Sequence, residues 1–312
     1  MTTIDWLLDS DPALRWQVLR DVVHAPEDEV AAERDRIASD GWGARLLALQ
    51  GVDGQWDGGT YRPGWVDDEA EFFDAWTATT FSLLLLRDFG LDPQSAPAQR
   101  AIALVRENSR WDSNGAPFFE GEFEPCINGM AVAIGAYFGE DVDGIVTTLL
   151  ATQLRDGGWN CWAEDGTAVS SFHSTIAVLD GLLEYERSGG GIPVTAARLK
   201  GEQYLLERKL FKRLTTDEIV EPTFTQFSFP SRWFYDVLRA LDYFRTIGAQ
   251  PDPRLAEAVA LVESKMDAHG RWPLENTHEG PVHFELEDGD GAPSRWNTLR
   301  ALRVLQWWRS AA

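Results

Sequence analysis

Apolar positions recur at three- and four-residue spacing through six segments, as expected of helices that bury one face. The segments are Leu14–Arg20, Trp76–Gly90, Ile127–Gly139, Phe172–Tyr185, Arg232–Gly248 and Arg295–Trp308. The last two are close copies: Ser231-Arg232-Trp233 leads to Leu238-Arg239-Ala240-Leu241, and Ser294-Arg295-Trp296 leads to Leu299-Arg300-Ala301-Leu302. Amphipathic stretches with charged faces lie between them: Ala98–Glu107, Gly144–Leu154, Thr195–Leu210 and Arg254–Met266. Pro97, Pro193 and Pro253 mark starts; Gly90, Gly139 and Gly248 mark stops. No strand-like alternation interrupts the series. An apolar helix alternating with an amphipathic one predicts an inner ring inside an outer ring. Six such hairpins closed on themselves predict an all-α, (α/α)6 toroid spanning residues 1–312 as one domain. An open helical solenoid is the competing arrangement.

A shorter motif recurs where outer helices should end. Gln50-Gly51-Val52-Asp53-Gly54-Gln55-Trp56 and Gln153-Leu154-Arg155-Asp156-Gly157-Gly158-Trp159 share it, and Met266-Asp267-Ala268-His269-Gly270-Arg271-Trp272 keeps the Gly and Trp but not the Gln. Gly ends a helix in the left-handed conformation. The Gln amide can then bond the freed backbone, and the Trp can pack over the turn. The motif resembles the QW repeat of squalene-hopene cyclases and related triterpene cyclases, a resemblance that implies the toroid fold and structural roles for these residues. Gly157-Gly158-Trp159, then Ser171-Phe172-His173-Ser174-Thr175, then Leu179-Asp180-Gly181-Leu182, is similar to protein prenyltransferase β subunits. That resemblance implies a zinc ligand at His173. The family's other ligands, an Asp and a Cys, should fall near Asn128-Gly129-Met130 and are missing, with Cys126 close by. The Asp-x-Asp-Asp proton donor of class II cyclases is also absent, so neither parent activity carries over directly.

Composition narrows the partners. The 312 residues carry a net charge of −22, which disfavours nucleic acid and anionic membranes as partners. No apolar run is long enough to span a membrane. The N-terminal stretch does not read as a signal peptide, and two cysteines exclude a disulfide framework, so a cytoplasmic location is expected. The 14 Trp point to packing between many helices or to an aromatic-lined cavity. Five loop windows preceding predicted inner helices (57–75, 112–125, 156–172, 214–230 and 267–294) hold 23 acids against two bases. In a toroid they gather at one end, which predicts an acid-rimmed cavity and a neutral or cationic hydrophobic substrate.

Candidate chemistry follows. Asp67 and Asp68 are paired carboxylates beside Trp65, and pairing pushes their pKa values apart, as an acid catalyst needs. Glu124 closes an alternating row with Glu120 and Glu122. His173 begins an inner helix, and His283 and Glu285 share one side of an acidic segment. Cys126, Cys161 and His173 together compose a possible zinc site with an open position. Trp65, Trp76, Trp162, Phe172, Trp233 and Trp296 sit at or before inner-helix starts and are the candidate substrate-binding rings. These features point to a squalene-cyclase-like or terpenoid-cyclase-like enzyme, an isomerase or lyase. The alternatives are a zinc-dependent prenyltransferase-like enzyme and a non-catalytic small-molecule binding module.

Overall fold

A computed structural model of the protein describes residues 1–66, 75–163 and 165–310. It is mostly helical. The helices are α1 (Thr3–Leu8), α2 (Pro12–Val18), α3 (Glu27–Asp35), α4 (Gly41–Ala48), α5 (Thr79–Phe89), α6 (Ala96–Asn108), α7 (Pro125–Phe138), α8 (Asp143–Ala151), α9 (Phe172–Arg187), α10 (Thr195–Glu207), α11 (Val237–Ile247), α12 (Ala256–Ser264) and α13 (Arg295–Ser310). One two-residue antiparallel pair, Trp272–Pro273 with Pro293–Ser294, precedes α13. Among the described residues no helix is long and apolar enough to cross a membrane.

Local chemistry sets the ends. Gly90, Gly139 and Gly248 are the left-handed C-caps of α5, α7 and α11. Ser95, Ser171 and Asp236 accept backbone N–H groups at the starts of α6, α9 and α11. Helix α11 begins at Val237, five residues later than the apolar pattern predicts. The reason is Arg232, whose φ of 53° breaks the helical path.

Neighbouring contacts follow chain order: α5 meets α7, α7 meets α9, α9 meets α11, and α11 meets α13. Helix α13 then returns to α2. Trp16 and Gln17 of α2 donate to the carbonyls of Phe89 and Asp88 at the end of α5, at 2.7 and 2.9 Å. Helices α6, α8, α10 and α12 pack outside this series. The α7–α9 contact is the closest kind: a Cβ at Gly129 would lie 2.6 Å from backbone of Ala177, and one at Gly181 would lie 2.4 Å from the Gly129 carbonyl oxygen. Only glycine lets the two backbones touch.

The turn motif has one geometry in three places. Trp56, Trp159 and Trp272 are fully buried, and each indole donates at 2.7 Å to the carbonyl ten residues earlier, on Leu46, Leu149 and Val262. Their backbone N–H groups donate to Thr79, Thr175 and Thr298 on the following inner helix. Gln50 and Gln153 each donate twice, to Gly54 and Ala101 and to Gly157 and Ala197. The turn after α4 therefore ties that helix to α5 and α6, and the turn after α8 ties it to α9 and α10. Met266, in the Gln position of the third copy, is exposed.

Candidate functional site

A chamber of about 400 Å³ runs between α2, α5, α7, α9, α11 and α13. Trp16, Phe81, Tyr137, Phe229, Tyr243 and Trp296 supply its rings. Its charge reverses the expected rim. Among the described residues nine arginines and four acids line it, and none of those acids comes from the five loop windows. The acid-rimmed cavity is therefore corrected for this chamber. The arginines come from inner-helix faces or from segments abutting them.

Several of these arginines are paired: Arg239 with Asp180 at 2.8 Å, Arg87 with Asp88 at 2.9 Å, and Arg245 with Asp242 at 2.7 Å. Arg303 pairs with Asp21. Burial lowers the Arg303 guanidinium to about 10 and the Arg232 guanidinium to about 9. Glu184 also faces the chamber, and burial raises its carboxyl against the pull of Arg87 and Arg187. Neither Glu184 nor the arginine lining was anticipated. The signal was present, as basic residues recurring on inner-helix segments at Arg87, Arg187, Arg239 and Arg300.

The segment 278–287 lies beside Trp76, three residues before α5. Trp76 holds it there: its backbone N–H donates to the Pro281 carbonyl at 2.9 Å and its indole to the Glu279 carbonyl at 2.7 Å. A cavity of about 70 Å³ lies beneath, lined by His278, His283, Glu285 and Trp76, and shares Leu85, Phe229, Pro230 and Arg232 with the chamber. His283 Nε2 is 3.1 Å from Ser82 Oγ, and burial lowers its pKa. His278 stacks on Phe234 at 3.9 Å.

The predicted zinc trio is only partly brought together. Cys126, Cys161 and Glu124 present ligand atoms that all lie within 4.8 Å of one another. A hydrogen bond with Cys161, with burial, raises the Cys126 thiol well above its usual range. His173 stands apart from this group: its Nδ1 accepts the Tyr235 N–H at 2.9 Å, and its ring meets Trp233 at 5.2 Å. Burial holds it down to about 4. Asn128, where the prenyltransferase pattern expects a ligand, instead exchanges two hydrogen bonds with the Glu122 backbone. Glu120 ends a 3-10 turn, so no extended carboxylate row forms through Glu124.

Of the candidate rings, Trp296 lines the chamber and stacks on Phe229 at 4.2 Å, and Trp76 lines the smaller cavity. Phe172 is buried among Tyr204, Phe224 and Tyr235. Trp233 stacks on Phe234 at 3.8 Å. Trp65 and Trp162 are exposed, outside both cavities. Asp67 and Asp68 lie outside the described residues.

No protein-family model and no curated protein matches the chain. Among solved structures it is similar to two forms of the type II terpene cyclase MstE from Scytonema. An apo variant aligns over 96% of this chain and 87% of its own, at 15% identity and a TM-score of 0.46. A variant in complex with the product merosterolic acid A aligns over 95% and 86%, at 14% identity and a TM-score of 0.45.

Proposed function

We propose that this chain is a terpenoid-cyclase-like enzyme built as an (α/α)6 toroid, working on a small, partly apolar molecule inside the central chamber. The observation that carries the reading is the chamber itself, walled by six successive inner helices with aromatic and charged groups facing inward. The return of α13 to α2 and the three repeated tryptophan turns support the toroid. Buried walls strengthen any electrostatic interaction with a bound molecule. Glu184 is the chamber acid whose carboxyl burial raises above the usual carboxylate range, and so the candidate proton donor. The arginine excess argues against a cationic substrate.

The test is incubation with a panel of polyprenyl alcohols, acids and esters, with isomeric products read by mass spectrometry. Turnover by the native protein that is lost in Glu184→Gln supports the reading. Binding without turnover favours the non-catalytic module. No chamber ligand and no turnover overturn both.

A second reading, a zinc enzyme, is favoured by the convergence of Glu124, Cys126 and Cys161. Two thiolates and a carboxylate fit tetrahedral zinc with one open position. Zinc there would act as a Lewis acid; Glu124, Cys126 and Cys161 would hold it. Metal analysis of native protein and of Cys161→Ser decides it: about one zinc per chain, lost in the variant, is the supporting result.

A further inference from the structure

Four of the chamber arginines, Arg34, Arg187, Arg232 and Arg300, form no direct ion pair among the described residues; Glu184, Asp88, Glu285 and Asp242 act on the last three only from a distance. Arg34 donates to the Gly90 carbonyl at 2.8 Å and to the Tyr137 hydroxyl at 3.1 Å. Arg187 donates to the Thr246 carbonyl. Arg300, only 7% exposed, donates to the Ser228 carbonyl at 3.0 Å and to Asn297 Oδ1 at 3.3 Å. Arg232 lies 5.4 Å over the Trp76 ring, and its Nη1 is buried without a hydrogen-bond partner. Arg303, also 7% exposed, has a buried Nε with none.

Burying charge without a counter-charge is costly. One compensating effect is intrinsic. The ends of α2, α5, α7, α9 and α11 contribute Arg20, Gly90, Tyr137, Arg187 and Thr246 to the wall, so helix C-termini gather there. Each C-terminus carries about half a negative charge, so five supply at most about 2.5. Once Asp21, the partner of Arg303 and Arg20, is counted beside the four lining acids, the nine lining arginines still exceed that by about one to two charges. A bound anion is the group that balances the remainder, and guanidinium forks match phosphoryl oxygens two at a time.

We propose that the chamber contains a binding site for a phosphoryl-bearing anion with one or more negative charges, held by Arg34, Arg187, Arg232 and Arg300. It rests on the reading of the chamber as the working site and assigns the charged part of its ligand. Entry is from the helix C-terminal end, where Arg187 is exposed.

The test is isothermal titration and thermal shift with inorganic pyrophosphate and inorganic phosphate at fixed low ionic strength. Sulfate and citrate are the non-phosphoryl controls. Saturable binding is expected, tighter for pyrophosphate if the site takes a diphosphate and tighter for phosphate if it takes a monoester. Arg187→Gln, at an exposed position that leaves the fold intact, should weaken binding about tenfold or more. Arg300→Lys should retain part of it, and Arg106→Gln, whose partner is Glu140 on the outside, should leave it unchanged. No saturable binding, equal response to all four anions, or binding indifferent to Arg187→Gln overturns the proposal. A neutral polyprenol that binds while pyrophosphate does not would remove the anion site and leave the chamber enzyme standing. Pyrophosphate binding without turnover of any panel molecule would do the reverse.

Discussion

Arg303 of α13 is paired with Asp21, just past α2, so the two ends of the helix series are joined by a largely buried ion pair. Gln17 adds a second acceptor at 2.8 Å. Among the described residues Arg303 has Asp21 and Gln17 as its side-chain partners, with Asp242 a more distant counter-charge, whereas Asp21 also has Arg20 at 2.6 Å. The two halves of the pair should therefore respond unequally. Asp21→Asn leaves a buried cation uncompensated and is expected to cost about 3 kcal/mol or more. Arg303→Met leaves Asp21 with Arg20 and should cost less. Urea unfolding of both variants checks the order; the reverse order would mean that this contact does not join the two ends.

The tryptophan turns make a second prediction. Gly157 has φ +101°, and a Cβ there would lie 2.6 Å from the Lys200 carbonyl oxygen. Gly157→Ala should destabilise by about 2–3 kcal/mol. Gly144, in the first turn of α8, has nothing within 4 Å of such a Cβ, and Gly144→Ala should be neutral or stabilising by up to about 1 kcal/mol. Gln153→Leu strands two carbonyls that now share one amide, at about 1–3 kcal/mol. Thermal melts of the three variants give the comparison. Equal effects of the two glycine changes would refute it.

These residues also mark what the sequence made legible. The helices were readable because apolar spacing and glycine stops are local. So was the turn motif, whose Gln, Gly and Trp act within ten residues of one another or on one of the two helices that follow. The chamber's charge was not. Counting acids in loops leaves a nearly neutral remainder, and that balance conceals the sorting of Arg87, Arg239 and Arg300 toward the chamber. Which side of an inner helix faces the chamber depends on the packing of all six. Cys161 reaches Cys126 for a similar reason: the turn after Trp159 brings them together, although thirty-five positions separate them.

The cysteines supply a third prediction. The Cys126 thiol is held up chiefly by its hydrogen bond with Cys161, and then by burial. Iodoacetamide reacts with the thiolate, so Cys126 should label slowly at mildly alkaline pH. Cys161→Ser replaces the sulfur neighbour, and labelling of Cys126 should accelerate, as read by peptide mass spectrometry. An unchanged or slower rate would show that burial alone controls the thiol.

The last prediction concerns the segment beside Trp76. His278 is stacked on Phe234, and its buried Nε2 has no hydrogen-bond partner. Burial first, then the positive charge of Arg232, holds its pKa down to about 3, against 6.5 for an unperturbed histidine. A depressed histidine pKa means that the unfolded chain takes up the proton first. The stabilising contribution is therefore complete above pH 6.5 and falls as the pH drops toward 3. Within that window one histidine contributes a slope of up to about 1.4 kcal/mol per pH unit. His173, held to about 4, acts in the same direction, while the raised carboxyls of Glu184 and Glu287 act in the opposite one. The contribution of His278 is therefore read as a difference between proteins. His278→Phe keeps a flat ring against Phe234, and His278→Gln removes the ring; both remove the titrating group. By urea unfolding, the native protein should lose more stability than either variant between pH 6.5 and about 5, above the ordinary carboxylate range. Parallel pH profiles in all three proteins would mean that His278 is already charged or solvated in the folded state.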